Sequence, residues 1–176
     1  MTLDELRASI RTVPDFPKPG IQFRDIGTLL AHPKALGAAV EYLAERVDGA
    51  EAVAGMEARG FIFGAAVAIR LGIGFVPIRK PGKLPVATIG VDYALEYGTD
   101  RLEVDPSIVA QGQRVALVDD LIATGGTACA AATLLRQAGA HVSQAAFVVD
   151  LPDLGGAARL READILVETL VAFDGE

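Results

Sequence analysis

The segment of residues 115–127, which reads VALVDDLIATGGT, constrains the fold of this 176-residue chain more than any other stretch. Its first four residues are apolar and predict a short strand buried in a parallel sheet. Asp119 and Asp120 follow, then residues 124–127 form a Thr-Gly-Gly-Thr loop and residues 128–137 predict a helix. Glycines before a helix let backbone N–H groups approach an anion, and the helix dipole favours a phosphate there. The segment therefore predicts a site for a phosphorylated sugar, whose hydroxyls the two carboxylates would bind.

A simpler interpretation of this segment is a buried strand and a turn that carries two solvated aspartates. Adjacent carboxylates at the end of a buried strand are costly to desolvate unless the site uses them. The binding-site interpretation is therefore favoured over the structural one.

Composition narrows the class of ligand. The chain carries 16 Lys and Arg residues against 23 Asp and Glu residues, a formal net charge of −7. Binding along a nucleic-acid backbone needs a basic surface, so this balance argues against nucleic acid as a partner. An anionic small molecule stays possible, because backbone amides and a few arginines are enough to hold one locally.

Length, hydropathy and cysteine use predict one soluble cytoplasmic domain that spans residues 1–176. No apolar run reaches the length of a membrane span, and the charged N-terminal residues argue against a signal peptide. The one cysteine, Cys129, excludes an internal disulfide and fits a reducing compartment. With one cysteine, the two histidines, His32 and His141, are too few for a zinc cluster.

The order of predicted elements indicates an α/β fold. Helices are predicted at residues 3–13 and 33–47, from the loop of residues 57–61 to Leu71, and after Gly156 through Glu162. Strands are predicted at 52–56, 73–78, 142–151 and 165–173 besides the central one. This alternation favours a largely parallel, twisted sheet flanked by helices. Residues 88–96 and 101–104 alternate apolar and polar side chains and predict an antiparallel hairpin. Beside the central site this hairpin would form a flexible lid, about residues 80–104, that excludes water.

Four segments together resemble the type I phosphoribosyltransferases, in the form that acts on adenine. Residues 115–127 resemble the family's signature for 5-phosphoribosyl-1-pyrophosphate (PRPP), and residues 55–64 its pyrophosphate loop. Residues 16–26 resemble its Phe-Pro-x-Pro-Gly-x-x-Phe-Arg-Asp-Ile segment, and residues 94–98 its catalytic loop. The resemblance implies the type I phosphoribosyltransferase fold with a small N-terminal hood, residues 1–30. It also implies a Mg²⁺-dependent, homodimeric purine salvage enzyme that transfers the phosphoribosyl group of PRPP to adenine, giving AMP and pyrophosphate.

The same resemblance implies roles for individual residues. The ribose and 5-phosphate of PRPP would bind Asp119, Asp120, Ala123, Thr124, Gly125, Gly126 and Thr127. Pyrophosphate would bind Ala58, Arg59, Lys80, Lys83 and Tyr97, and in this family the loop that carries the arginine contains a non-proline cis peptide. Adenine would stack on Phe23, be covered by Leu154 and be read by the backbone at Gln22 and Arg24. Glu96 would act at the base beside the catalytic Asp119 and Asp120, and Mg²⁺ would bind mainly through PRPP, with no dedicated protein ligand.

Other interpretations stay open at this point. A phosphate-switched receiver domain also ends a strand in an acidic pair, but near its N-terminus rather than two-thirds along the chain. A regulator on the same fold would bind PRPP or a nucleotide together with nucleic acid, and should carry a basic extension or a helix-turn-helix. An enzyme with the same chemistry could instead use hypoxanthine, guanine or xanthine. Among single residues, Arg59 could be a surface residue paired with Glu57, Glu96 a solvated carboxylate, and Leu154 ordinary packing.

Overall fold

The computed structural model describes residues 1–94 and 98–175. In chain order the helices are α1 (Leu3–Ala8), α2 (Gly27–Leu30), α3 (Pro33–Arg46), α4 (Arg59–Leu71), α5 (Gly126–Gln137) and α6 (Gly156–Arg161). The strands are β1 (Arg11–Pro14), β2 (Gln22–Asp25), β3 (Ala52–Met56), β4 (Gly74–Ile78), β5 (Ile89–Ala94), β6 (Thr99–Val104), β7 (Arg114–Ile122), β8 (His141–Asp150) and β9 (Leu166–Ala172). No helix in the described part of the chain has both the length and the apolar character that a membrane crossing requires.

A five-stranded parallel sheet forms the centre of the fold, with strand order β4-β3-β7-β8-β9. Successive residues of β7 contribute to two separate apolar clusters: Val115 and Leu117 belong to one, and Ala116 and Val118 to the other. Helices α5 and α6 cover the first face, while α1, α3 and α4 cover the second. Side chains alternate between the faces of a strand, so burial of both faces makes the strands read as continuous apolar runs. The predicted parallel α/β fold is confirmed.

Strand β7 is longer than predicted and contains the acidic pair. It runs past Val118 to Ile122, because β8 continues beside it: Asp119 pairs with Phe147, and Ile122 with Asp150. The two carboxylates therefore lie within a sheet strand and not after it, which fixes their backbone. Helix α5 likewise begins earlier than predicted, inside the Thr-Gly-Gly-Thr segment.

The predicted N-terminal helix over residues 3–13 is wrong in its second half. Helix α1 ends at Ala8, and Arg11–Pro14 form strand β1, which pairs antiparallel with β2. Leu6 and Ile10 are buried, so the apolar spacing reflects burial rather than helix length. Backbone groups of β1 find their partners in residues 22–25 across the proline-rich loop, and a local pattern does not reveal such a partner.

Strands β5 and β6 form the predicted antiparallel hairpin. Val91 and Tyr93 of β5, and the buried Leu102 of β6, pack into the apolar cluster that α5 covers. The hairpin is therefore attached to the same face of the sheet as α5. Glu96 and Tyr97, which the sequence analysis singled out, lie outside the described residues.

Candidate active site

A cavity of about 290 Å³ opens at the carboxyl ends of β3 and β7. Carboxyl ends of parallel strands meet at one edge of the sheet, where α/β proteins bind their ligands. The cavity brings together the predicted site residues Ala58, Arg59, Lys80, Asp119, Asp120, Ala123, Thr124, Gly125, Gly126 and Thr127. Segments far apart in sequence thus form one site because the strands that precede them are neighbours in the sheet.

The loop between β7 and α5 packs backbone against backbone on the start of α6. Gly156 N–H donates a 2.9 Å hydrogen bond to the Ala123 carbonyl oxygen, and Gly125 has a φ of +77°. A Cβ atom at Gly125 would stand 2.8 Å from the Gly156 carbonyl oxygen. Position 125 therefore requires glycine both for its conformation and for the close approach. The positive end of the α5 dipole lies at this loop, where a phosphate is favoured.

The acidic pair is held in a fixed arrangement in the cavity wall. Asp119 Oδ1 accepts a 2.8 Å hydrogen bond from Asp120 N–H, and Asp120 is only 2% exposed. Arg59 Nε lies 3.0 Å from Asp120 Oδ2 as an ion pair, and that oxygen makes no hydrogen bond to any described residue. Burial, followed by the charge of Asp120, raises the pKa of Asp119 well above its ordinary value. One guanidinium offsets this concentrated negative charge only in part, so the pair can stabilise a positive charge that develops beside it.

Glu57 joins the loop after β3 to the turn after β4. Its carboxylate accepts hydrogen bonds from Arg79 Nε at 2.7 Å and from Lys80 N–H at 2.9 Å. Burial acts to raise the pKa of Glu57, but these hydrogen bonds outweigh it and lower the pKa. The alternative interpretation, in which Arg59 is a surface residue paired with Glu57, is therefore wrong. The Glu57–Ala58 peptide bond is cis, as the resemblance implied. Neither Glu57 nor Arg79 was among the predicted site residues, although Glu57 lies inside the pyrophosphate-loop motif.

Lys80 reaches the cavity from the end of β4, and its ammonium contacts the hairpin. Its Nζ donates a 3.0 Å hydrogen bond to Tyr93 Oη and another to Asp100 Oδ2. Lys83 is exposed and is not among the described residues that line the cavity. The structure therefore groups Lys80, and not Lys83, with the loops around the cavity.

Phe23, the residue predicted to stack on adenine, lies outside the described lining of the main cavity. Phe23 lines a shallow apolar depression with Val13, Phe16 and Asp25. Its ring meets the Phe16 ring edge-on, with the ring centres 5.2 Å apart. An apolar, aromatic surface of this kind suits the face of a planar base, and it lies in the hood rather than in the sheet.

The other residues predicted to bind adenine are also absent from the described lining of the main cavity. The Arg24 guanidinium donates to Thr12 Oγ1 at 2.7 Å and to the Asp174 carbonyl oxygen at 3.0 Å. Gln22 begins β2, and Leu154 ends the 3-10 helix at Pro152–Leu154. Their assignment to adenine stays a prediction.

Comparison with known proteins identifies the class to which this fold and site belong. The phosphoribosyl transferase domain model matches residues 25–164, so the chain belongs to the phosphoribosyltransferase family. It is 71% identical to the adenine phosphoribosyltransferase of Erythrobacter litoralis, over 99% of each chain. The receiver-domain interpretation is therefore wrong.

Solved structures agree with this assignment. The crystal structure of adenine phosphoribosyltransferase from Thermoanaerobacter pseudethanolicus is similar with a TM-score of 0.91 and 47% identity, covering 98% of this chain and 100% of that one. The Saccharomyces cerevisiae adenine phosphoribosyltransferase is similar with a TM-score of 0.89 and 36% identity, covering 96% of this chain and 98% of that one. The yeast structure holds adenine and the bisphosphate D-2,5-dideoxy-2,5-imino-altritol 1,6-bisphosphate.

Proposed function

We propose that this chain is a purine salvage enzyme that transfers the 5-phosphoribosyl group of PRPP to adenine and releases AMP and pyrophosphate. The observation that carries this proposal is the 71% identity, over 99% of each chain, to an adenine phosphoribosyltransferase. The cavity supports it, because an acidic pair, a glycine loop at a helix N-terminus and two cations suit a sugar that carries phosphates at both ends.

The loop of residues 123–127 binds the 5-phosphate in this proposal. Backbone N–H groups at the start of α5, together with the hydroxyls of Thr124 and Thr127, supply donors at the positive end of the helix dipole. Asp119 and Asp120 accept hydrogen bonds from the ribose hydroxyls. Pyrophosphate binds at the opposite end, where Arg59 and Lys80 are the described cations of the cavity lining.

The chemistry is departure of pyrophosphate from the anomeric carbon with positive charge developing on the sugar, as in glycoside cleavage. The pair formed by the half-buried Asp119 and the buried Asp120 stabilises that charge electrostatically. Pyrophosphate is already a good leaving group, so the protein need not supply a strong acid there. Glu96 polarises or protonates the adenine ring as its N9 attacks. Ala58, Lys83 and Tyr97 complete the proposed pyrophosphate contacts.

Mg²⁺ fits this site as an ion carried mainly on the oxygens of PRPP. It prefers oxygen ligands, keeps several waters and is commonly held by substrate phosphates with one or two carboxylates. The buried Asp120 Oδ2 has no hydrogen-bond partner among the described residues and lies 3.0 Å from Arg59 Nε, which supports a cavity wall that attracts cations. When bound, the ion would neutralise charge on the leaving pyrophosphate.

Adenine recognition is assigned to the hood and to the loop before α6. Phe23 supplies the stacking surface, Leu154 covers the other face, and the backbone at Gln22 and Arg24 reads the ring edge. The hydrogen bond from Gly156 N–H to the Ala123 carbonyl oxygen supports this, because it holds the loop that carries Leu154 against the phosphate loop. Polar atoms that match one purine leave another purine with buried unpaired groups, which gives specificity.

The larger arrangement is also a proposal: one domain over residues 1–176 with a hood at 1–30, a flexible lid at about 80–104, a cytoplasmic location and a homodimer. The Ala94 carbonyl oxygen stands 3.6 Å from the position of a Cβ at Gly126, which supports a lid that covers the phosphate loop. Ile62 and Ile69 lie on one face of α4 and are 42% and 81% exposed, which supports an apolar interface there.

The test is AMP formation from adenine, PRPP and Mg²⁺, with hypoxanthine, guanine and xanthine assayed in parallel. Turnover with adenine alone is the expected result. Turnover with another base would keep the PRPP site and reject the roles given to Phe23 and Leu154. PRPP binding without turnover on any base would favour a PRPP-sensing regulator instead.

A further inference from the structure

The ammonium of Lys80 is paired with a carboxylate of the protein itself, that of Asp100. Its ammonium donates to Asp100 Oδ2 and to Tyr93 Oη, and Tyr93 Oη lies 3.1 Å from the same carboxylate oxygen. The second oxygen, Asp100 Oδ1, accepts a 2.8 Å hydrogen bond from Arg101 N–H. The carboxylate is therefore oriented from both sides and presents one oxygen to Lys80.

The two partners are charged and only partly solvated. Lys80 and Asp100 side chains are 35% and 28% exposed. Hydrogen bonding to Lys80 is the main cause that lowers the pKa of Asp100, while the bonds to Asp100 and Tyr93 raise the pKa of Lys80 against the opposing effect of burial. A charge pair of this kind holds its geometry at neutral pH.

Lys80 is held at its backbone as well as at its ammonium. Its N–H donates to Glu57, in the loop that also carries Arg59, while its Nζ contacts the hairpin. An ammonium has three donors, and two of them are occupied by residues that the structure describes. An anion that makes full contact with this ammonium must therefore displace Asp100.

From this arrangement we propose that the Asp100 carboxylate competes with pyrophosphate for the ammonium of Lys80 and so weakens the binding of pyrophosphate to Lys80. A diphosphate that binds Lys80 must share or replace the Asp100 carboxylate, and the same carboxylate recovers the ammonium when the product leaves. The inference rests on the proposed function, because it takes pyrophosphate as the ligand of Lys80.

The measurement is calorimetric binding of inorganic pyrophosphate with Mg²⁺ to the full chain. For Asp100→Asn we expect the Kd of pyrophosphate to fall by about threefold to fivefold, the upper part of the range for loss of a partly exposed ion pair. Asp100→Glu retains the charge and should bind as the wild type does. Tyr93→Phe, which removes only a neutral hydroxyl, should give a smaller fall.

Asp92→Asn is the matched control, because it removes the same charge from the same hairpin. Asp92 pairs with Arg101 at 2.9 Å, has a side chain 70% exposed and is not among the described residues that line the cavity. We expect its pyrophosphate affinity to be unchanged. In a Lys80→Met background, Asp100→Asn should no longer alter affinity, since the competitor acts only through Lys80.

Two results would overturn the inference. Weaker pyrophosphate binding by Asp100→Asn would mean that Asp100 aims Lys80 at the ligand. If Asp100→Asn lowered the Kd of pyrophosphate equally in the Lys80→Met background, the effect would come from the change in net charge and not from Lys80. Wild-type turnover of adenine with PRPP tests the proposed function separately, so failure of one can be told from failure of the other.

Discussion

The cavity at the carboxyl ends of β3 and β7 and the proposed hood of residues 1–30 are built in different ways. Most of the cavity consists of two strand–loop–helix units, β3 to α4 and β7 to α5, whose functional residues are consecutive in sequence. The hood depends on the far end of the chain: Arg7 Nε donates to the Ala172 carbonyl oxygen, and the guanidinium groups of Arg7 and Arg24 lie 4.5 and 4.7 Å from the centre of the Phe173 ring.

This difference separates two kinds of recognition. An anion is recognised largely by backbone N–H groups and a helix dipole, which a short segment provides by itself. A planar base needs surfaces on both faces, and here the candidates come from residues 22–24 and from residue 154. Changes in the cavity should therefore act on PRPP and on turnover, and changes in the hood on adenine.

The largest effect is expected from Asp120→Ala. Loss of a preorganised electrostatic stabiliser costs about 100- to 1,000-fold in turnover, and Asp120 is buried in the cavity wall. The measurement is kcat for AMP formation, with circular dichroism to verify folding. A rate close to that of the wild type would exclude Asp120 from catalysis. It would also remove the basis for assigning turnover to the cavity and adenine binding to the hood.

Glu96→Ala should lower turnover by about 100-fold, the lower part of the range for a group that moves a proton at the reacting base. PRPP binding should persist, because the role proposed for Glu96 is at the base and not at the ribose or the phosphates. Both are measured in one preparation, with Glu96→Gln as the variant of matched shape. Equal loss of turnover and PRPP binding in a folded variant would make Glu96 structural.

Phe23→Ala should raise the KM for adenine by roughly tenfold or more, since aromatic stacking on a base contributes about 1–3 kcal/mol. The KM for PRPP should not change, because Phe23 lies in the hood depression. Phe23→Tyr retains the aromatic face and should behave as the wild type does. A matching rise in the PRPP KM would show that the hood and the cavity do not act separately.

Gly60→Ala should raise the KM for PRPP by about fivefold, a 1 kcal/mol effect. An added Cβ would lie 2.8 Å from Asp119 Oδ1 and 3.4 Å from the Val118 carbonyl oxygen, so the acidic pair must shift. Gly37→Ala on α3 is the matched control, because nothing lies within 4 Å of its added Cβ. An unchanged PRPP KM for Gly60→Ala would show that the position of Asp119 does not limit binding.

Asp119→Asn should stabilise the fold by about 1 kcal/mol above the folded pKa of Asp119, because it removes a partly desolvated charge beside another carboxylate. The pKa of Asp119 is raised above its ordinary value of 3.8, so the folded state binds the proton more tightly than the unfolded chain does. Ionisation therefore costs stability as pH rises from about 3.8 through the folded pKa. The gain of the variant should be small at pH 4 and complete above the folded pKa.

Thermal and urea unfolding across that pH range measure this gain, and activity should fall in the same variant. A gain that is the same at every pH would show that burial of the charge is not its cause.

Much of the fold was predictable because its signals are local. Strand β3 begins and ends where the apolar run does, and α3 and α4 follow their predicted bounds closely. The predictions that were wrong can be traced to particular strands. β1 needed a partner strand that lies across the proline-rich loop, and β7 extended through Asp119 and Asp120 because β8 continued beside it.

The sequence by itself determined the parallel sheet and the glycine loop proposed to bind phosphate, since each needs only the order of apolar, acidic and glycine residues along a short segment. Only the tertiary structure decided that Glu57 holds Arg79 and Lys80, that Arg59 faces Asp120, and that Lys80 contacts Asp100. The physical reason is the separation along the chain between the residues that determine each feature. Backbone conformation follows from near neighbours, whereas the partner of a long charged side chain depends on which strands lie side by side and which turns meet at their ends.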